Sequence, residues 1–231
     1  PRAAFAAQDE GDRLLTSPCL LTGARDASPA TLAATPRQFN CDLDPRRIEA
    51  DTLWIRYDLS RSPLIASAGW TYDHAVNQAR DERVWAIMDD GRLIPSPTSR
   101  EEARRVLGGP TQRFALPPVD GQITGLLIRV DGLQNRRGPV PRATLTSFER
   151  SALDQAKINV IFGGLAGILA GILFYNLTLY AVLRHRVLAA FCWPIIGTLF
   201  YGIVWSNAIL WFFPNMSTAT QFGWNALAIT T

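Results

Sequence analysis

The residue types that most often do chemistry are scarce in this chain and lie far apart. The histidines are His74 and His185, one in each half of the sequence. The sequence contains no nucleophile elbow, phosphate-binding loop, zinc-peptidase motif or paired C-x-x-C. Asp89-Asp90 precedes a glycine and is typical of a turn rather than of an acid–base pair. We therefore predict no catalytic residue and no enzymatic activity for this chain.

Two cysteines in the first part of the chain are candidates for a disulfide. Cys19 and Cys41 would close a loop of about 20 residues, worth roughly 3 kcal/mol, if that part lies in an oxidising compartment. Two unpaired thiols are the alternative. These cysteines and the distant His74 make too small a set for a metal ion, so we predict no metal site. Cys192 lies in an apolar stretch.

Aromatic and arginine side chains are the candidates for ligand binding. A sugar or peptide could stack on exposed aromatic rings, whereas core packing is the ordinary role of such residues. Mid-strand arginines could hold an anion, with salt bridges as the alternative. The ligand-binding candidates are Trp54, Arg56, Trp70, Tyr72 and Arg129, and Trp85 is a further exposed aromatic candidate.

The distribution of charge divides the chain into two regions. Of the 43 Asp, Glu, Lys and Arg residues, 41 lie in residues 1–157, and residues 158–231 hold only Arg184 and Arg186. Residues 1–157 carry 21 basic and 20 acidic side chains with no basic block, which argues against a nucleic-acid partner. The first region has the charge of a soluble domain, and the second predicts membrane segments.

Residues 158–183 and 187–213 are long enough to cross a bilayer as helices, and 219–231 begins a third, incomplete span. The turn between the first two spans holds Arg184 and Arg186. By the positive-inside rule this turn is cytoplasmic, which places residues 1–157 outside the cytoplasm. Gly163, Gly167 and Gly171 share one helix face, where another helix could pack closely. The lipid bilayer is therefore a predicted partner.

The predicted elements of the exported region are mostly strands. Leu53, Ile55, Tyr57 and Leu59 alternate onto one face of the first strand. Further strands are predicted at 63–72, 83–88, 93–94, 111–116, 125–130 and 143–145, with a short helix at 99–107. Many short strands separated by turns favour a β-sandwich. We predict this domain over 1–145, a connecting helix over 146–157 that continues into the first span, and the membrane domain over 158–231.

Motifs in both regions resemble one receptor family. The transition Leu153–Lys157, Gly163–Gly167 and Phe174–Leu179 resembles the start of the membrane domain in seven-transmembrane receptors with diverse intracellular signalling modules. The stretch from Pro36 through Phe39 to Cys41, followed by Leu53–Tyr57, is similar to the sensor segment of membrane-bound diguanylate cyclases with this architecture. The resemblance covers about residues 19–231.

The resemblance implies a bacterial inner-membrane sensor with several spans. Its periplasmic domain would be a jelly-roll-like sandwich that senses a carbohydrate-like or small-molecule ligand, and we expect a homodimer. Further spans would lead to a cytoplasmic output domain, most commonly a GGDEF diguanylate cyclase that uses GTP and Mg²⁺. We predict no cofactor for the present residues. We also expect the sequence to be a fragment, with a signal segment before Pro1 and more chain after Thr231.

Three alternatives remain open from the sequence. The output domain could be a histidine kinase, which would keep the receptor and change its chemistry to phosphotransfer. The chain could instead be an envelope transport or assembly component whose β-domain docks a partner. It could also be a membrane-anchored carbohydrate-binding module without signalling. The absence of acidic and lysine residues from the first two spans argues against a proton-coupled transporter.

Overall fold

The strands of the first region form two antiparallel sheets. The computed structural model describes residues 13–44, 48, 50–75, 81–97, 111–132 and 143–205, with 213, 220 and 224. The four-stranded sheet has the order β1-β10-β5-β8. Its strands are β1 (Arg13–Leu15), β5 (Trp70–Ala75), β8 (Thr111–Leu116) and β10 (Ala143–Ser147).

The strands of the six-stranded sheet are β2 (Cys19–Thr22), β3 (Thr52–Asp58), β4 (Leu64–Ile65), β6 (Asp81–Met88), β7 (Leu93–Pro95) and β9 (Gln122–Asp131). Their order is β2-β3-β9-β6-β7, and β4 also pairs with β9. The ten-residue strand β9 is at the centre, as its nearly continuous apolar sequence predicts for a strand buried on both faces.

Alternate residues of both sheets meet in one apolar core. Leu53, Ile55 and Tyr57 of β3 point into it, together with Leu59 just beyond the strand, as the alternation predicts. Tyr72 and Phe114 from the four-stranded sheet join them. Because the core is built from one face of each sheet, the prediction of two packed sheets is supported.

The predicted strand over 63–72 is divided in the structure. Leu64–Ile65 form β4, a 3-10 turn covers Ala66–Ala68, and β5 starts at Trp70. Gly69 connects the turn to β5 with φ of +72°, a conformation that side chains with a Cβ rarely adopt. This glycine redirects the chain from one sheet to the other. The predicted helix over 99–107 lies outside the described residues.

A covering segment, residues 23–41, packs on the outer face of the six-stranded sheet. It contains α1 (Pro29–Ala34), whose Ser28 hydroxyl caps the helix by accepting from the N–H of Thr31 at 3.2 Å. Leu32 and Phe39 pack with Leu127 of β9 in a second, smaller apolar cluster. The six-stranded sheet is therefore buried on both faces over this area.

A disulfide joins Cys19 of β2 to Cys41 at the end of the covering segment. The pair lies 22 residues apart in sequence, and the backbones of Leu20 and Asn40 also exchange two hydrogen bonds of 2.8 Å. The predicted bridge is confirmed. It ties the far end of the covering segment to the edge strand β2.

The described part of the second region is almost entirely helical. Helix α2 runs from Phe148 to Leu183 without a break, and α3 runs from Arg186 to Trp205. The predicted connecting helix and first span are thus parts of a single helix that begins directly after β10. The predicted third span at 219–231 falls almost wholly outside the described residues.

Replacing Cys19 and Cys41 together by serine is expected to lower the free energy of unfolding of the β-domain by about 3 kcal/mol, because the unfolded chain regains the entropy of the closed loop. Urea denaturation of the full chain in detergent, followed by tryptophan fluorescence, measures this change. Cys192→Ser is the control, since Cys192 is not in the bridge. An unchanged urea midpoint in the double variant would show that the covering segment does not depend on the bridge.

Candidate functional site

Trp54 lies beneath the covering segment. It belongs to the face of β3 opposite the core, and its side chain has no exposed surface. Its indole Nε1 donates to the carbonyl oxygen of Ala24 at 3.1 Å. The ring stacks on Trp85 of β6 with centroids 5.8 Å apart. Trp54 therefore holds the covering segment on the sheet and offers no surface to a ligand from solvent.

Arg56 also binds the covering segment. Its Nη1 donates to the carbonyl oxygen of Ala33 at 2.7 Å, in the last turn of α1. The last carbonyls of a helix lack partners within it and carry a partial negative charge, which a guanidinium satisfies. Burial lowers the pKa of Arg56, with the charge of Asp58 acting in the opposite sense. The structure thus places Arg56 as a cap for α1.

Two further predicted ligand contacts lie in the core between the sheets. Trp70 is 6% exposed and donates from Nε1 to the carbonyl oxygen of Ile65 at 2.9 Å. Tyr72 is fully buried and packs against Phe114. Both rings fill the sandwich, which is the alternative role that the sequence allowed for them.

Arg129 is the predicted candidate that keeps a solvent-accessible charge beside an aromatic pair. Its Nε donates to Oδ2 of Asp131 at 2.7 Å, and its guanidinium carbon lies 5.5 Å from the centre of the Trp54 ring. The side chain remains 22% exposed. Trp85, which stacks on Trp54, is half-buried.

A buried ionisable pair, which was not predicted from the sequence, connects the two sheets. His74 of β5 and Glu82 of β6 approach with Nε2 and Oε1 2.9 Å apart, and their side chains are 0% and 3% exposed. His74 stacks on Phe114. Period-two alternation predicts that His74 faces the core, because it follows Trp70 and Tyr72 on the same face of β5.

The phenols of two core tyrosines face this pair. Burial raises the pKa of Tyr57 and of Tyr72, and the charge of Glu82 adds to both shifts. Both tyrosines are therefore neutral at physiological pH. The side chain of Glu82 is almost fully buried, and there the loss of an ionic partner is costly.

The outer face of the four-stranded sheet holds the beginning of α2. Asp73 of β5 and Arg113 of β8 are opposite one another in the strand register, with Oδ1 and Nε 3.5 Å apart. Arg113 Nη1 donates to the carbonyl oxygen of Ser151 at 3.2 Å. Ser151 is 5% exposed. A charged side chain from the sheet thus binds the backbone of the helix.

Two more contacts fix the same end of α2. The N–H of Phe148 donates to the carbonyl oxygen of Gly69 at 3.2 Å. The hydroxyl of Ser147, the last residue of β10, accepts from the N–H of Arg150 at 3.4 Å in the position of a helix cap. These contacts and the Asp73–Arg113 pair form what we call the helix anchor.

Two helices, Phe148–Leu183 and Arg186–Val204, are long and apolar enough to cross a membrane. At the end of α2, Arg184 adopts φ of +53°, and its N–H donates to the carbonyl oxygen of Tyr180 at 2.9 Å, which is a left-handed helix termination. A Cβ added at Gly163, Gly167 or Gly171 would meet no atom within 4 Å. The close packing of another helix against these glycines therefore stays a prediction.

Within the described residues, no three His, Cys, Asp or Glu side chains come together as metal ligands would. A scan against protein-family models gives no match for this chain. A search of curated proteins finds none that is significantly similar. The resemblance to seven-transmembrane receptors therefore rests on the sequence motifs alone.

Substitution of His74 by alanine is expected to lower the free energy of unfolding by about 3–5 kcal/mol, because it leaves Glu82 as an uncompensated buried charge. Replacing His74 and Glu82 together by leucine should recover most of this loss, since two apolar side chains need no ionic partner. Urea denaturation followed by tryptophan fluorescence measures both variants. A double variant as unstable as His74→Ala would contradict the assignment of the loss to the unpaired carboxylate.

Proposed function

We propose that this chain is part of a transmembrane signal-transduction receptor. Its β-domain senses a ligand outside the cytoplasm, and the membrane helices carry the response inward. The chain itself performs no catalysis in this scheme. Its role is to convert occupancy of the β-domain into a movement of a helix.

The single observation that carries this proposal is the helix anchor at the start of α2. An inert tether needs no specific contact between a domain and its membrane segment. Here Arg113, which is mostly buried in an ion pair with Asp73, donates to the backbone of Ser151 in α2. The N–H of Phe148 also donates to the carbonyl oxygen of Gly69, directly before β5. The same helix continues without interruption into a stretch that can cross a bilayer. A shift of strand β5 or β8 would therefore displace the helix.

Two features support an orientation in the membrane with the β-domain outside the cytoplasm. A disulfide in the β-domain fits an oxidising compartment such as the periplasm. The positive charges of Arg184 and Arg186 fit a cytoplasmic turn between α2 and α3. We propose a multi-pass protein of the bacterial inner membrane, with a jelly-roll-like periplasmic domain, a carbohydrate-like or small-molecule ligand and a homodimeric assembly.

From the family resemblance, we propose a cytoplasmic diguanylate cyclase domain as the output, following further spans. There two GTP molecules would be condensed to one cyclic di-GMP with release of two pyrophosphates, a reaction that would use Mg²⁺. The described residues would not take part in this reaction and would only position the helices that lead to it. For the ligand to change the output, its affinity must differ between two states of the receptor. Typical coupling free energies correspond to changes of about 5-fold to 150-fold.

The experiment is to read the gene beyond the codon for Thr231 and to measure cyclic di-GMP formation by the complete protein in membranes. Arg113→Gln is expected to change the basal rate by about fivefold or more, because it releases the backbone of Ser151 from the sheet. Asp73→Asn should act in the same direction. Circular dichroism of each variant checks that the β-domain remains folded.

Arg92→Gln is the matched control. Arg92 also pairs with an aspartate, Asp90, but on the exposed turn between β6 and β7. It should leave the basal rate unchanged. A rate that responds equally to Arg113→Gln and Arg92→Gln would overturn the coupling role of the anchor. A continuing sequence that ends without a cytoplasmic signalling domain would overturn the receptor itself.

A further inference from the structure

We infer that the outer face of the six-stranded sheet binds an oxyanion-bearing ring, such as an acidic sugar, between Arg83 and Arg129 and beside Trp85. This inference rests on the proposed function, because it names the chemical class of the ligand and the place where it binds. Arg83 was not among the residues predicted from the sequence.

The strand register brings the two arginines together. Arg83 of β6 is directly opposite Arg129 of β9 on the outer face of the sheet. Asp81 and Asp131 are also opposite one another, so each arginine has a carboxylate beside it and the four charges balance. An oxyanion would bind there through the guanidinium N–H groups that the aspartates leave free, and a ligand that binds only the folded domain stabilises it.

Each arginine is oriented by an aspartate on its own strand. Arg83 Nε donates to Oδ2 of Asp81 at 3.0 Å, and Arg129 Nε donates to Oδ2 of Asp131 at 2.7 Å. The hydroxyl of Thr52 donates to the other oxygen of Asp131 at 2.8 Å and fixes that carboxylate in turn. A guanidinium held through Nε presents its Nη1–Nη2 edge, which matches two oxygens of a carboxylate or phosphate.

The surroundings of the two arginines suit a ring as well as an anion. Arg83 is 58% exposed and Arg129 is 22% exposed, so a solute can reach both. Trp85 follows Arg83 by two residues, which places it on the same face of β6, and it is half-buried against Trp54. A sugar ring can rest its apolar face on such an indole while its acidic group binds the arginines.

Galacturonate and galactose are matched probes, since they share the same sugar ring and differ only at the exocyclic C6. This carbon is a carboxylate in galacturonate and a hydroxymethyl group in galactose. Titration calorimetry with the full chain in nanodiscs should show saturable binding of galacturonate and binding of galactose weaker by about tenfold or more, as the loss of a charge-assisted hydrogen bond predicts. Inorganic phosphate should compete with galacturonate and raise the unfolding temperature of the β-domain.

Arg83→Gln and Arg129→Gln should each weaken galacturonate binding by about tenfold or more. Arg92→Gln is the control and should bind like the unchanged protein. Arg92 and its aspartate are 56% and 46% exposed, close to the 58% and 44% of Arg83 and Asp81. Arg83→Gln and Arg92→Gln therefore remove the same charge from equally exposed pairs, and of these two pairs only that of Arg83 lies at the proposed site.

Three results would overturn the proposed site. These are galactose binding as tightly as galacturonate, an equal loss of binding in Arg92→Gln, and no saturable binding of galacturonate or phosphate at millimolar concentration. None of them bears on the receptor assignment, because the cyclic di-GMP measurement depends on Arg113 and not on this face of the sheet. A cyclic di-GMP rate that does not respond to Arg113→Gln, with intact galacturonate binding, would instead contradict the coupling role of the anchor and keep the site.

Discussion

The link between the β-domain and α2 depends on Arg113, which contacts both Asp73 and the carbonyl oxygen of Ser151. The two side chains are 14% and 10% exposed, so solvent screens their attraction less than it would at the surface. A hydrogen bond from a charged donor contributes about 1.5–3 kcal/mol, more than an average neutral one. The backbone contact of Phe148 and the cap from Ser147 act in the same place. Together they make the first turns of α2 part of the β-domain.

The two ionic pairs of the β-domain are adjacent in sequence and opposite in orientation. Asp73 faces the outer side of β5 and holds the helix anchor, while His74 faces the core and reaches Glu82 on the other sheet. A change in how the sheets pack would act on β5 at His74, directly next to Asp73 of the helix anchor. Packed cores move between discrete arrangements rather than deform continuously. A shift of β5 could therefore be transmitted to α2.

Much of the fold could be predicted from local patterns. The alternation in Leu53, Ile55 and Tyr57 fixed the core face of β3, and the uncharged run after Lys157 indicated a membrane-crossing helix. The disulfide followed from cysteine usage. The covering segment could not be predicted, since its α-helix has only six residues and its apolar positions meet a sheet face distant in sequence. The arginine pair depended equally on the β6–β9 register, which no local pattern reveals.

Cysteine labelling from either side of the membrane tests the central claim that the chain connects two compartments. In a Cys192→Ser background, Ser60→Cys reports on the exposed β3–β4 turn, and His185→Cys reports on the turn between α2 and α3. The bridged Cys19 and Cys41 do not react with maleimide. We predict that an impermeant maleimide labels only Ser60→Cys in right-side-out vesicles and only His185→Cys in inverted ones. Labelling of both positions from the same side would contradict transmembrane signalling by α2.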